Sequence, residues 1–176
     1  LYFMDEKALF KSYLQLFTQA EFPLILAYDI DEPESFSDDP LPLPLSQLFV
    51  AEDEVLEGNE DDIDAYNEYV PVVQFRINKN YIACIVWKAT LGSYEFMLII
   101  YDNDGGIQET DSVAGTYYAA DPMTYKIAEF SSPSRATIVE GNIRSKAEEA
   151  EIPDTQKFIL NISDIGEINY AIVGNI

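Results

Sequence analysis

The chain has 176 residues, with 32 Asp and Glu against 10 Lys and Arg, no His and a single Cys, for a formal net charge of −22. The missing His excludes Ser-His-Asp and Cys-His nucleophilic chemistry and imidazole zinc sites, and a lone Cys excludes an intrachain disulfide. So large a negative charge opposes phosphate backbones and anionic lipid surfaces; no nucleic-acid partner is expected, and a basic protein partner is.

This length supports one apolar core and one domain. No apolar run is long enough to span a membrane, and the start lacks the basic-then-apolar pattern of a leader, so no membrane insertion and a cytoplasmic location are expected. Leu1-Tyr2-Phe3 ahead of Met4 reads as the remnant of a cleaved tag, which puts the domain at 4–176. Residues 1–69 carry 18 acidic and 2 basic side chains, whereas residues 70–176 carry 14 and 8.

In chain order, Leu9, Phe10, Tyr13, Leu14, Phe17 and Ala20 recur at three- and four-residue spacing, Asp5 is placed to cap the start, and Pro23 follows. The spacing predicts an amphipathic helix over about 5–20. Leu24 to Ile30 reads as a short strand. An acidic, Pro-containing segment then runs over about 31–69, with Pro40, Pro42 and Pro44 predicting an extended, polyproline-like connector.

From about residue 70 the hydrophobic period becomes two and turn residues recur every eight to twelve positions, as in an antiparallel meander or sandwich. Val73, Phe75 and Ile77 point one way and Gln74 and Arg76 the other. Tyr81 to Thr90 and Tyr94 to Asp102 are apolar on both faces, which predicts a sheet covered on both sides, with the N-terminal helix on one. Ile107 to Ala114 is the most polar strand and is expected at an edge. Further strands are predicted at Met123 to Phe130, Arg135 to Glu140, Thr155 to Ile162 and Glu167 to Val173. Ser163-Asp164-Ile165-Gly166 turns the last two into a hairpin, and Asn142 to Asp154 is a charged excursion. The fold class is therefore α+β, mainly β: an antiparallel meander or sandwich-like sheet with one N-terminal helix.

Few residues suggest chemistry. Asp102-Asn103-Asp104-Gly105-Gly106 has the oxygen-bearing residues of a calcium loop, but its spacing fails the twelve-residue pattern, so a hairpin turn is expected. Cys84, inside Ile82 to Val86, reads as a small buried hydrophobe. Asn161-Ile162-Ser163 matches a glycosylation triplet but falls at a buried strand end. With 32 acidic residues, a pair of carboxylates at glycosidase distance arises by chance. No catalytic residue, metal site or cofactor is assigned.

Two binding surfaces stand out. Glu52, Asp53, Glu54, Glu57, Glu60, Asp61, Asp62 and Asp64 concentrate charge suited to a basic partner, and Val55, Leu56, Ile63, Tyr66 and Tyr69 are placed to anchor that segment. Trp87, Tyr117 and Tyr118 are candidate aromatic anchors, large in contact area with polar tips.

The stretch Tyr94 to Asp102, then Gly105-Gly106, then Ala114-Gly115, followed later by Phe158, Leu160, Gly166 and Ile168, resembles bacterial β-meander proteins. These carry a "YYL-x-x-YD" strand, a Gly turn and a closing "AG". Some are presumed immunity proteins of toxin systems. The resemblance spans about half the chain; it implies a binding role and brings no catalytic residue. The expected function is a non-enzymatic acidic protein-binding domain, in one form an immunity-type inhibitor of a basic toxin. The alternatives are a carbohydrate-binding or carbohydrate-active domain with an aromatic platform, and a structural module of a larger assembly.

Overall fold

A computed structural model describes residues 5–27, 39–50, 67–118, 122–143 and 155–175. In chain order it contains α1 (Glu6–Leu14), β1 (Thr18–Gln19), β2 (Leu24–Leu26), α2 (Leu43–Phe49), β3 (Glu68–Arg76), β4 (Tyr81–Ala89) and β5 (Tyr94–Asp102). There follow β6 (Ile107–Tyr117), β7 (Met123–Ser132), β8 (Arg135–Ile143), β9 (Thr155–Ile162) and β10 (Ile168–Asn175). The strands form one open, mostly antiparallel sheet in the order β1-β3-β4-β5-β6-β7-β8-β9-β10, with β2 beside β7. Consecutive strands from β3 on are joined as a meander, as the turn spacing predicts.

The sheet does not lie flat. β6 and β10 are four ladder steps apart, about 19 Å in a flat sheet, yet the Tyr170 hydroxyl donates to Asp111 and the Ile168 N–H to Glu109. Likewise β1 pairs with β3 and β2, five residues later, with β7. The sheet therefore folds back, and its inner face closes on Phe75, Ile85, Phe96, Leu98, Ile100, Phe130, Ile138 and Leu160. The alternate residues of β4 and β5, among them Cys84, Val86, Ile99 and Tyr101, form a second apolar layer under α1 and α2. The two-sided strands are thus covered on both faces, with the N-terminal helix on one, as their composition predicts.

Helix α1 starts where expected: Asp5 caps it, its carboxylate accepting from the Lys7 N–H. It stops at Leu14, short of the predicted residue 20. The Gln74 side-chain amide donates to the Leu14 and Phe17 carbonyls at 2.6 and 3.4 Å, satisfying groups that a helix end leaves open. Phe17 still reaches the same apolar layer, so the spacing read it as buried correctly and as helical wrongly. The proline connector is also corrected. Leu41 is buried and its N–H bonds to the Tyr69 carbonyl, while Pro42 caps and Pro44 lies in the first turn of α2. A first-turn N–H has no intrahelical acceptor, so Pro costs nothing there.

Other boundaries differ by a few residues. β6 extends to Tyr117 and β8 to Ile143, taking in Asn142 and Ile143 from the predicted excursion, and β10 begins at Ile168. β6 is internal in the sheet order, against the edge expected of it, but its pairing with β7 is confined to Gly115–Tyr117. Among the described residues, Ile107 to Ala114 have β5 on one side and no second ladder, which is where the polar side chains sit.

Candidate functional site

The eight acidic residues Glu52, Asp53, Glu54, Glu57, Glu60, Asp61, Asp62 and Asp64 lie outside the described residues, as do Val55, Leu56, Ile63 and Tyr66. Of the chain's charge, 14 acidic and 8 basic side chains fall within the described residues, and 18 and 2 on the others. Two of the described cations are paired: Lys7 with Asp104 at 2.6 Å, and Lys126 with Glu140 at 3.8 Å.

The aromatic candidates separate. At the β4–β5 hairpin, Trp87 stacks on Tyr94 with ring centroids 5.5 Å apart and planes 6° from parallel, and Tyr94 meets Tyr118 at 5.4 Å. The Tyr118 hydroxyl donates to the Thr90 carbonyl at 3.0 Å. Thr90 and Ser93 close the turn by hydrogen bonds of their own, so the group is tied to a rigid hairpin. Tyr117 belongs elsewhere: its hydroxyl bonds to Ser112, and the Lys126 ammonium sits 5.6 Å from its ring centroid. Trp87 and Tyr94 each spend a ring face on the other, and Trp87 also packs against the inner core. A sugar platform needs such a face open, so this hairpin is a weak candidate for one.

The structure assembles a polar group that the sequence pattern does not reveal. Along the unpaired part of β6, Glu109 accepts from the Ile168 N–H at 2.8 Å and Asp111 from the Tyr170 hydroxyl. Burial pushes the Tyr117 and Tyr170 phenols up, with Asp111 adding to both by its charge, so each stays protonated across the ordinary pH range. The available signal was the alternation Glu109, Asp111 in a strand otherwise placed among apolar ones; what it lacked was any hint that β10 returns to meet it. These groups satisfy one another and form no nucleophile–base pair, which makes the cluster a strut between β6 and β10.

The β5–β6 turn is structural too. Asp102 Oδ1 accepts from the Asp104 and Gly106 N–H groups, both at 2.9 Å, and Gly105 takes φ +97° against the Phe10 ring. Among the described residues, no group of three or more His, Cys, Asp or Glu is placed to hold a metal ion. Cys84 is fully buried and burial pushes its thiol up, so it is neither accessible nor activated. Ellman's reagent at pH 8 is expected to leave the folded protein unlabelled and to titrate one thiol in denaturant; rapid labelling of the folded chain would contradict this packing.

No protein-family model, no curated protein and no solved structure matches the chain. Among the described residues, no helix is long and apolar enough to cross a membrane.

Proposed function

We propose that the chain is a non-enzymatic acidic protein-binding domain whose partner is a basic protein, the form in view being an immunity-type inhibitor of a basic toxin such as a nuclease. The observation that carries this reading is the charge: −22 overall, with 18 acidic against 2 basic side chains on residues outside the described fold. Such a density of carboxylates in one chain suits fast, electrostatically steered encounter with a cationic surface. The resemblance to bacterial β-meander proteins adds the immunity form.

The test is capture from the native host by the tagged chain at low and moderate salt, followed by titration calorimetry with the purified partner. A basic protein that binds at low salt and is released as salt rises is the expected result. Replacing Glu52, Asp53, Glu54 and Glu57 by Gln or Asn is expected to weaken it at least tenfold and to flatten its salt dependence. Affinity and salt dependence both unchanged would overturn the assignment of these residues.

A further inference from the structure

Strand β10 is the last in the sheet order, and among the described strands longer than three residues it alone has no charged side chain. Its start is held, Ile168 packing on the inner core and Tyr170 on Phe158, but further along it is exposed on both faces, with Ile172 73% and Val173 57% exposed. The Ser163 N–H bonds to the Glu167 carbonyl, and Ile168 pairs with Ile162, which sets the parity of the β9–β10 ladder. The main-chain groups of Asn169 and Ala171 point into β9, and those of Ile168, Tyr170 and Ile172 point outward. Glu109 takes the outward N–H of Ile168, so among the described residues the first main-chain position without a ladder partner on that side is Tyr170.

We propose that this edge docks a second copy of the chain, β10 of each copy pairing antiparallel about a two-fold axis near Ile172. An antiparallel pair of identical strands is self-complementary, so one uncapped edge suffices to make a closed dimer. The charge selects the place. Two copies of net charge −22 repel wherever free carboxylates face each other, and among the described long strands β10 alone brings no carboxylate of its own, those of Glu109 and Asp111 beside it being engaged by the Ile168 N–H and the Tyr170 hydroxyl. The carboxylate of Glu109 limits how far the strands slide, because its hydrogen bond to Ile168 ends the free ladder on that side. An edge of eight residues buries less than the roughly 1,200 Å² of a stable interface, so the dimer is weak and reversible. The inference is independent of the basic partner proposed above.

Sedimentation velocity of the full chain, from about 5 to 500 μM at about 0.05 and 0.5 M NaCl, tests it. A concentration-dependent dimer is expected, at least tenfold tighter at the higher salt because screening removes the long-range repulsion. Binding to a basic partner has the opposite salt dependence, so failure of one reading is distinguishable from failure of the other. Ile172→Lys is expected to weaken the dimer at least tenfold with circular dichroism unchanged, and Val173→Lys serves if that variant does not fold. Leu48→Lys, at a side chain on α2 that is 54% exposed, is expected to leave the dimer intact. A monomer throughout at the higher salt, a dimer indifferent to the β10 variants, or equal loss with Leu48→Lys would each overturn the proposal.

Discussion

Replacing Gly115 by Ala is expected to cost at least about 3 kcal/mol of stability, or to prevent folding, by strain and steric overlap together. Gly115 has φ +139°, a region that L side chains rarely adopt, and a Cβ built there would lie 2.1 Å from the Tyr94 carbonyl oxygen and 2.8 Å from the Glu95 Cα. Both are backbone atoms of the neighbouring strand and have no rotamer by which to move aside. The position matters as much as the contact. β6 shifts register against β5 between Ser112 and Ala114, and at Gly115 it begins to pair with Lys126 of β7. This is where one part of the sheet hands over to the part that folds back on it, so strain here opposes closure of the inner core. Gly174→Ala is the control: its φ is +129°, but nothing lies within 4 Å of the added carbon, and a loss of about 1 kcal/mol is expected. Urea denaturation measures both; a Gly115→Ala loss as small as that of Gly174→Ala would show that the two strands separate freely at this point.

The strands were legible because each carries its own evidence. The β5 bounds Tyr94 to Asp102 and the β9 bounds Thr155 to Ile162 are those read from the period-two pattern, and the turns at 78–80, 91–93 and 163–166 fall between strands. What one strand cannot carry is its place relative to a strand far along the chain. Thr18–Gln19 is too short to show a period, and its strand character comes wholly from the β3 edge it lies on. The end of α1 was misread for the same reason: a glutamine 60 residues away, Gln74, supplies the hydrogen bonds that let the helix stop at Leu14. The two-sided character of β4 and β5 did announce the covering layer, because burial on both faces leaves a continuous apolar run in the sequence.

The candidate sites were less legible. Trp87 and Tyr118 were singled out for their size, but stacking and a main-chain hydrogen bond give both a structural use. Tyr170 and Asp111 were not singled out, because their partnership depends on the fold bringing β10 back to β6. Charge density needs no fold to be read, and so the proposal of a basic partner rests on the acidic segment alone.

Tyr101→Phe is expected to destabilise the protein by about 2–4 kcal/mol and Tyr13→Phe by only about 1 kcal/mol, although both phenols are fully buried and 3.0 Å apart. The Tyr101 hydroxyl donates to the Phe49 carbonyl at 2.5 Å, and it has one proton to give, so Tyr13 must donate to Tyr101. Removing the Tyr101 hydroxyl takes from two buried groups, the Tyr13 O–H and the Phe49 carbonyl at the end of α2, the partner that each has among the described residues. Removing the Tyr13 hydroxyl leaves the bond to Phe49 in place. The double variant should therefore be no less stable than Tyr101→Phe alone, since it deletes the orphaned donor; equal losses for the two single variants would reverse the assigned direction of the chain. Alkaline titration gives a second reading of the same pair. Burial raises both phenols well above the ordinary value of 10.0, so above that pH the unfolded chain releases protons that the folded protein holds. Their contribution to stability is complete below pH 10 and falls above it, by about 1.4 kcal/mol per pH unit for each phenol. The double variant is expected to unfold less steeply with pH in that range, as the two hydroxyls that link α1, α2 and β5 no longer resist ionisation.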